Sequence, residues 1–583
     1  MAIIAVRKSP LSFNHLFNRP PREHPTQSPL RGTTRLTRST IYVLPHFVSI
    51  TLLSIFLSTG CAPRETQVEI GNRTGVVHIA STGEPSELDP HIINAPPDFR
   101  IIDSLFEGLL KGNSATLEPE PGVAESWKLS EDRLTYTFHL RANARWSNGD
   151  TITSADFIYS WQRALSPALG SQYTFLFTDV IGGDDYSAGK LDDFSQVGFA
   201  APNLSTVVVT LKRPTPYFLS NMANNAIWYP VHRNTIESLG HMTDRNSGWT
   251  KPETFVGNGP FHITEWKPND VIRARKSLNY WNADQIELNG LVFHAFDNIE
   301  TEERAFRAGQ LHRTSGVPIA KLPGYREQSP TPLREIDSLI TRFLNLNTTR
   351  RPFDDQRVRR AFALAIDREA LARHVYLDVA TPARRVVPSG MPSYPTGEDF
   401  SDDETAAQVL LADAGYPDGV GFPTTELSTE AGAGARVTEA LQAQWRKVLG
   451  VNVEILNSES RVHWSKMQQG DFDIGFGGWV ADYPDATSYL DLWKTGSGWN
   501  FTGWNDSEYD AALENAARQI DPPSRLQALR EAEGILLQYM PIIPLVFAKN
   551  PMLVHPSVKD YTPNAMDRRH YHTVSLKTEL PVK

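Results

Sequence analysis

Short apolar runs and alternating apolar and polar residues indicate strands in the N-terminal half of the chain. The segment GVVHIAS (75–81) is apolar enough for a buried strand, and TVVVTLK (206–212) has the β-branched composition of another. Between them, LTYTFHL (134–140) alternates apolar and polar residues with a period of two, which predicts a strand with one buried face. This half of the chain is therefore expected to be rich in β-structure.

From residue 340 onward the pattern changes to helices that alternate with strands. The segment DQRVRRAFALAID places four apolar residues on one helical face, namely Val358, Phe362, Ala365 and Ile366. DETAAQVLLADAG predicts a helix that ends at Gly415, and EALQAQWRKVLGVNVEIL predicts a helix, a glycine stop and a strand. Such alternation predicts βα units, a mixed sheet and an α/β protein. The Pro- and Gly-rich segment 388–400 predicts a long surface loop.

The N-terminus has the layout of an export signal. An arginine-rich leader precedes an apolar run at 47–57, and about eleven residues are too few for a membrane-spanning helix, which needs roughly 20. The following LSTGC resembles the bacterial lipobox, which implies that Cys61 becomes the lipidated first residue of the mature protein. Ser58 stands where that motif usually has leucine. Cleaved soluble export, a retained anchor and a buried cysteine remain alternatives. Residues 1–60 are predicted to be a signal or leader.

Composition and charge narrow the classes of function. The chain has 583 residues, a net charge of −10 and one cysteine, which excludes an internal disulfide framework and CxxC metal or redox sites. The acidic balance argues against nucleic acid as a partner. No phosphate-binding, dinucleotide, zinc-protease or nucleophile-elbow motif occurs, and GAGARV at Gly432 is expected to lack the preceding strand of a glycine cradle. RRHYH (568–572) is expected to be a solvated tail, and we expect neither metal nor cofactor.

The segment GWVADYPDATSYL (478–490) holds the strongest candidate chemistry. Asp482 and Asp485 lie among aromatic residues on a turn that leads into a helix. Three residues apart, they allow an acid and base pair, but they also fit helix capping and a solvated turn. Their spacing alone does not decide between these interpretations.

Several longer segments resemble the family 5 extracellular solute-binding proteins, and most of all the oligopeptide-binding proteins of ABC importers. The resemblance spans most of the chain after the leader, and its segments follow the order of the family. These segments are LDPHIINAPPDFRIIDSLFEGLLKGN, PEPGVAESWKLSEDRLTYTFHLRANARWSNGDTITSADFIYSWQRALSP, VGNGPFHITEW, NYW, RPFDDQRVRRAFALAIDREAL, LLADAGYPDG, DFDIGFGGWVADYPD and MPIIPLVF.

The resemblance implies a periplasmic-binding-protein-like α/β fold of two lobes with a ligand cleft and a hinge, in the large three-domain form with an inserted β-rich domain. A tether is expected at 61–75. The expected domains are lobe I at 76–112, 233–338 and 548–583, domain II at 113–232, and lobe III at 339–547. Such proteins close their lobes around a ligand.

The resemblance also implies site residues. Asp482 matches the aspartate that binds the ammonium group of a peptide, which assigns Asp485 to the turn. The expected ligand contacts beside Asp482 are Gly478, Trp479, Val480, Asn94, Tyr173, Phe343, Asn345 and Asn347.

Two departures from the family concern the other end of the ligand. Phe476 and Met467 stand where the tripeptide-binding members have arginines that take the peptide carboxylate. Lys466 or Arg342 is expected to substitute, or the site takes longer or modified peptides. Phe476 and Lys466 are therefore also candidate ligand contacts.

The resemblance implies a receptor without catalysis that delivers oligopeptides to an ABC permease and its ATPase. It is expected to be a monomer in the periplasm, anchored as a lipoprotein to the membrane through Cys61. Alternatives are a receptor for a non-peptide or modified solute such as a cell-wall peptide, nickel chelate, sugar or opine, a sensor or adhesin with this fold, and an enzyme that uses Asp482 and Asp485.

Overall fold

The structure is a computed structural model that describes residues 65–395, 400–430 and 433–577. The predicted leader and Cys61 lie outside these ranges. In the part of the chain that is described, no helix is both long and apolar enough to cross a membrane.

The strands of the described residues are, in chain order, β1 Val76–Thr82, β2 Leu110–Gly112, β3 Pro119–Pro121, β4 Ala124–Leu129, β5 Thr135–Leu140, β6 Phe199–Asn203, β7 Thr206–Thr210, β8 Phe261–Lys267, β9 Val271–Lys276, β10 Gly290–Phe296, β11 Leu333–Leu346, β12 Ala380–Pro382, β13 Thr425–Glu430, β14 Val453–Ser458, β15 Ile474–Val480, β16 Ile542–Leu553, β17 Val558–Lys559 and β18 Ser575–Leu576.

The α-helices of the same residues are α1 Gln67–Thr74, α2 Pro96–Leu105, α3 Ser154–Leu165, α4 Gly183–Ser187, α5 Phe218–Asn224, α6 Arg233–Leu239, α7 Ile299–Arg307, α8 Leu322–Arg326, α9 Gln356–Leu364, α10 Arg368–Ala370, α11 Glu404–Asp413, α12 Ala433–Leu449, α13 Ser460–Gln469, α14 Thr487–Leu490, α15 Ser507–Arg518 and α16 Pro522–Tyr539.

Three sheets of four or more strands organise the part of the chain that the structure describes, beside two small two-stranded sheets. The first sheet has the order β1-β10-β9-β8, with β1 parallel to β10 and the other pairs antiparallel. The inserted sheet, β4-β5-β7-β6, is antiparallel and is formed by residues that lie between β1 and β8 in the chain. The large sheet has the order β12-β16-β11-β15-β13-β14. The half of the chain that was predicted to be β-rich thus contains the inserted sheet, and the half with alternating helices and strands forms most of the large sheet.

The large sheet is mixed. Its long central strands β11 and β16 pair antiparallel with each other, and β11 pairs antiparallel with β15. On the other side of β15, strand β13 is parallel to both β15 and β14. The predicted lobe boundaries after residues 338 and 547 fall inside β11 and β16, so both strands run through them. The division into lobes by residue number stays a prediction.

Both faces of the large sheet are covered by helices. Leu344 and Ile474 belong to a core with residues of α9 and α12, whereas Phe343 on the other face belongs to a core with residues of α15 and α16. Because both faces are covered, a ligand can reach this sheet at the two edges that are formed by the ends of its strands. The carboxyl ends of the parallel strands β13, β14 and β15 share one such edge, which is where α/β proteins commonly bind ligands.

Several helices begin where the sequence places an aspartate. Asp355, Asp403, Asp506 and Asp521 are the N-caps of α9, α11, α15 and α16, and each carboxylate accepts a hydrogen bond from a backbone N–H of the first turn. Such caps satisfy donors that the helix leaves free. The predicted helix ends are also confirmed, since Gly415 and Gly450 follow α11 and α12 with φ of 100° and 69°.

The predicted strands at 75–81, 134–140 and 206–212 correspond to β1, β5 and β7. Two other expectations are wrong. GAGARV was expected to lack a preceding strand, but β13 precedes it. The buried residues of β13 include Thr425, Ser428 and Thr429, so a search for apolar residues does not find this strand. The segment 568–572 is not solvated, because Arg569 is 1% exposed and forms an ion pair with Asp567.

Candidate functional site

Asp482 lies at the edge of the large sheet, two residues after β15. Its backbone N–H donates to Oγ of Ser488 at 2.8 Å, and its side chain is partly buried. Burial raises the pKa of its carboxyl to about 7, and a hydrogen bond from Ser488 opposes this only in part. Within the described ranges, no basic side chain lies close enough to form an ion pair with it. The site therefore holds a desolvated carboxylate that has no ion-pair partner in the part of the chain that the structure describes.

Tyr173 faces Asp482 from the segment that carries the inserted sheet. The pKa of Tyr173 is raised to about 12, first by burial and then by the negative charges of Asp482 and Asp98. Its ring meets that of Phe99 edge to face, with centroids 5.8 Å apart. Asn94 is exposed, and its Nδ2 lies 3.5 Å from Oε1 of Gln172, beside Tyr173. Predicted site residues of the two chain halves are thus close together at Asp482.

Asp485 has different surroundings from Asp482. Its Oδ1 accepts hydrogen bonds from the backbone N–H and the hydroxyl of Thr487, at 3.0 and 2.7 Å. Both carboxylate oxygens also accept from the guanidinium of Arg525, at 2.8 and 2.7 Å. With its hydrogen-bonding capacity used inside the protein, Asp485 stabilises the turn, as predicted.

The end of β15 combines a glycine, an aromatic ring and an exposed aliphatic residue. A Cβ on Gly478 would lie 2.8 Å from Cδ of Arg342 and 2.8 Å from the carbonyl oxygen of Thr341, so any other residue at this position would displace its neighbours. The ring of Trp479 meets that of Trp499 edge to face, with centroids 4.9 Å apart, and its Nε1 is buried with no hydrogen-bond partner among the described residues. Val480 is 50% exposed.

The three predicted contacts on β11 and just after it are buried. Phe343 is 4% exposed and meets the ring of Trp493 at 5.3 Å, and Asn345 is 3% exposed. Asn347 donates to the carbonyls of Gly470 and Phe472 at 3.0 Å each. Asn347 therefore braces a loop of the protein, whereas Asn345 lies beside the strand of Trp479.

The residues considered for a ligand carboxylate do not form a cationic site. A Cβ on Gly434 would lie 3.3 Å from the ring of Phe476, which is half-buried against α12. The ammonium of Lys466 already pairs with Glu426 at 3.2 Å. Arg342 is half-buried and lies over Gly478, and it is the remaining cation among the candidates.

Sequence reasoning missed four residues of this edge. Trp464, Trp499 and Phe501 form a row of rings that leads to Trp479, and Glu430 ends β13 beside them. The aromatic residues of the segment 499–504 were the available signal, but nothing in the sequence places them near Asp482. Among the described residues, no group of three or more His, Cys, Asp or Glu side chains is arranged to hold a metal.

This fold and site define a class of protein. A mixed α/β fold with several sheets and an inserted β-rich domain is typical of the large form of the periplasmic binding proteins, in which two lobes enclose a ligand cleft. The family model described as "Bacterial extracellular solute-binding proteins, family 5 Middle" matches residues 118–501. The chain belongs to this family, whose members serve ABC importers, and it is close to the peptide-binding proteins within it.

Individual relatives agree with this assignment. The "Dipeptide-binding protein DppE" of Bacillus subtilis is 32% identical over 496 residues, which cover 83% of this chain and 89% of that protein. An oligopeptide-binding protein of Borrelia burgdorferi superposes with a TM-score of 0.75 at 30% identity, covering 86% of this chain and 99% of its own. A Haemophilus influenzae OppA complex with the peptide RPPGFSPFR has a TM-score of 0.73 at 28% identity, with 86% and 99% covered. These relatives are binding proteins, not enzymes.

Proposed function

We propose that this chain is the receptor subunit of an ABC importer and binds oligopeptides through an ammonium clamp at Asp482. The observation that carries the proposal is a partly buried carboxylate, at the binding edge, without a cationic partner among the described residues. An isolated buried carboxylate is costly, and sites that retain one commonly use it for a cationic ligand. The N-terminal ammonium of a peptide is such a ligand.

The clamp supplies affinity without reading side chains. A charge-assisted hydrogen bond between ammonium and carboxylate contributes about 1.5–3 kcal/mol net. The backbone at Gly478 and Val480, at the end of β15, is available to pair with an extended peptide. Asn94, Tyr173 and Trp479 border the same place. The arrangement supports recognition of peptides of varied sequence between lobes with the predicted boundaries.

For the carboxylate of the ligand, the protein offers fewer candidate partners. Phe476 and Met467 carry no charge, and Lys466 pairs with Glu426. Arg342 is the candidate partner for a short peptide, and a longer peptide would place its carboxylate away from this strand. The proposal therefore covers oligopeptides as a class.

The family supports a proposal for the location and the partners. We propose export by the leader at 1–60, anchoring in the periplasm through lipid on Cys61, and delivery of the peptide to the permease and ATPase without any chemical step. Labelling cells with a radioactive fatty acid tests the anchor, because Cys61→Ser abolishes incorporation only if Cys61 is the lipidated residue.

The clamp is tested by thermal shift with a mixed library of tripeptides to pentapeptides and the same library N-acetylated. The free peptides are expected to stabilise the protein and the acetylated ones to stabilise it much less. Asp482→Asn should remove the difference, whereas the control Asp192→Asn, at an exposed position, should keep it. Equal stabilisation by both libraries would overturn the clamp. Mass spectrometry of co-purified ligand that finds no peptide, with no response to either library, would favour a non-peptide solute.

A further inference from the structure

An acidic aromatic wall lies at the same edge as Asp482. We define it as Glu430, Trp464, Phe501, Trp499 and Trp479. The indole N–H of Trp464 donates to Oε1 of Glu430. Ring centroids are 6.2 Å apart from Trp464 to Phe501, 6.2 Å from Phe501 to Trp499, and 4.9 Å from Trp499 to Trp479. The wall thus runs continuously from a carboxylate to a residue three positions before the proposed ammonium clamp.

Strand register places this wall at the binding edge. Glu430 is the last residue of β13, which is parallel to β15, so the carboxyl ends of both strands meet at one edge. A Cβ on Gly477 would lie 3.6 Å from Cη2 of Trp464, so this indole lies over β15 two residues before Trp479. Trp499 is 41% exposed, so the wall presents an open aromatic surface.

The carboxylate of this wall has no countercharge among the described residues. From the described residues, the side chain of Glu430 accepts hydrogen bonds from two neutral donors, the Trp464 indole and the hydroxyl of Ser460 at 2.9 Å. The nearby His463 bonds Ser428 at 2.9 Å and the carbonyl of Phe476 at 3.0 Å. Burial lowers the pKa of His463, and the opposing effects of the Phe476 carbonyl and the Glu430 charge are smaller, which favours the neutral imidazole. The wall is therefore an anionic and aromatic surface, and no side chain in the described part of the chain forms an ion pair with Glu430.

We propose that the acidic aromatic wall binds a lysine or arginine side chain of the peptide, so that this receptor prefers cationic peptides. This inference rests on the proposed function and names the substrate class of that site. Trp rings attract a cation at their faces and pack against the aliphatic stem of lysine or arginine. Glu430 supplies the negative charge for the ammonium or guanidinium group. An acidic ligand side chain at this position would face uncompensated repulsion.

The experiment compares tripeptides that differ in one side chain. Lysine is placed at each of the three positions among alanines, and is then replaced by norleucine, which keeps the aliphatic stem, or by glutamate. Affinities are measured by calorimetry for the wild type, Glu430→Gln and the control Glu454→Gln, an exposed carboxylate on β14. Glu430→Gln keeps the acceptor for the Trp464 indole, so it is expected to fold.

We expect lysine at one position to bind about tenfold more tightly than norleucine, and glutamate to bind most weakly. Glu430→Gln should reduce the preference to less than about threefold, and the control should retain it. Equal affinities for lysine and norleucine at every position, or a preference that survives Glu430→Gln, would overturn the inference and leave the peptide receptor in place. A complete lack of binding by all these peptides would overturn both proposals.

Discussion

The ring of Tyr217 lies flat on the ring of Tyr483, with centroids 5.0 Å apart and planes inclined by 6°. Tyr217 follows the inserted sheet in the chain, whereas Tyr483 directly follows Asp482. Both are nearly buried, and the hydroxyl of Tyr217 donates to Oδ2 of Asp179 at 2.8 Å. Arg525, which holds Asp485, has its guanidinium 6.0 Å from the Tyr217 ring. The stack thus joins the inserted domain to the turn that carries the proposed clamp.

Tyr217→Ala is expected to weaken peptide binding about tenfold, because the stack stabilises the arrangement in which both chain halves meet the ligand. Calorimetry with a tripeptide measures the affinity. Tyr186→Ala is the control, since Tyr186 packs on the same core but contacts Phe194 instead of the clamp turn. It should lower the melting temperature and leave the affinity unchanged. Equal affinity losses in both variants would assign the effect to general destabilisation.

Asp482→Asn is expected to stabilise the ligand-free protein at pH 8. The folded-state pKa of about 7 exceeds the ordinary value of 3.8, so the folded state holds this proton more tightly than the unfolded state does. Stability is therefore lost as pH rises from about 4 to 7, by about 2–4 kcal/mol at most. Thermal melts should show the variant a few degrees above the wild type at pH 8 and level with it near pH 4. A gain that is the same at both pH values would contradict the shifted pKa.

Peptide affinity is expected to fall as pH decreases from 8 to 5.5. Only the ionised form of Asp482 attracts an ammonium group, and protonation below about pH 7 removes that form. The loss approaches tenfold per pH unit at the acidic end. N-acetylated peptides serve as the comparison and should show a much flatter profile. The profile for free peptides should also flatten in Asp482→Asn.

Arg525→Met is expected to lower stability by about 2 kcal/mol, because it leaves the partly buried carboxylate of Asp485 without its bidentate partner. Urea unfolding measures the change, and Arg525→Met combined with Asp485→Asn should recover part of it. Discrimination between free and acetylated peptides should survive in both variants. Its loss would show that Asp485 takes part in the clamp.

A buried histidine cluster is expected to make the protein sensitive to acid. Nδ1 of His78 lies 3.0 Å from Nε2 of His294, and the backbone N–H of His78 donates to Nδ1 of His312 at 3.0 Å. Burial, together with neighbouring charges, lowers the pKa of His78 and His294 to about 4 and of His312 to about 3.

The unfolded chain binds these protons from about pH 6.5 downward, so stability should fall between pH 6.5 and 4, by up to about 3 kcal/mol per histidine. Urea midpoints at pH 7 and 4.5 measure the loss of stability. The measurements are made in the Asp482→Asn variant, because protonation of Asp482 stabilises the wild type as pH falls and would mask the effect of the histidines. His294→Gln should reduce the loss. An unchanged midpoint would contradict the prediction.

The sequence predicted elements whose buried residues are apolar. Strands such as β5 and helices such as α11 follow hydrophobic periodicity, because one face of each packs on a core. Strand β13 was not predicted because its buried residues include threonine and serine. The burial of Arg569 was not predicted because it depends on an ion pair with Asp567, which only the fold brings about. Asp567 also forms an ion pair with Arg313, which comes from a segment distant in the chain.

For the site, the family resemblance nominated Asp482 and Tyr173, and the structure brings them together. The resemblance gave no sign that the amide of Asn347 donates to two backbone carbonyls, and its role as a ligand contact stays a prediction. The wall from Glu430 to Trp479 forms because β13 pairs with β15 and because α13 places Trp464 over β15. Those relationships are long-range, and no local pattern encodes them.

With the proposed clamp at Asp482, whose carboxylate has no ion-pair partner among the described residues, peptide capture would be a proton-exchange reaction. Because burial raises the pKa of Asp482 to about 7, the ligand-free protein is expected to hold a proton on this group in part near pH 7, and binding of an ammonium group would release it. Capture then acidifies the medium, and the apparent binding enthalpy includes the heat with which the buffer takes up the proton. Parallel titrations in phosphate and Tris would report the number of protons released per peptide.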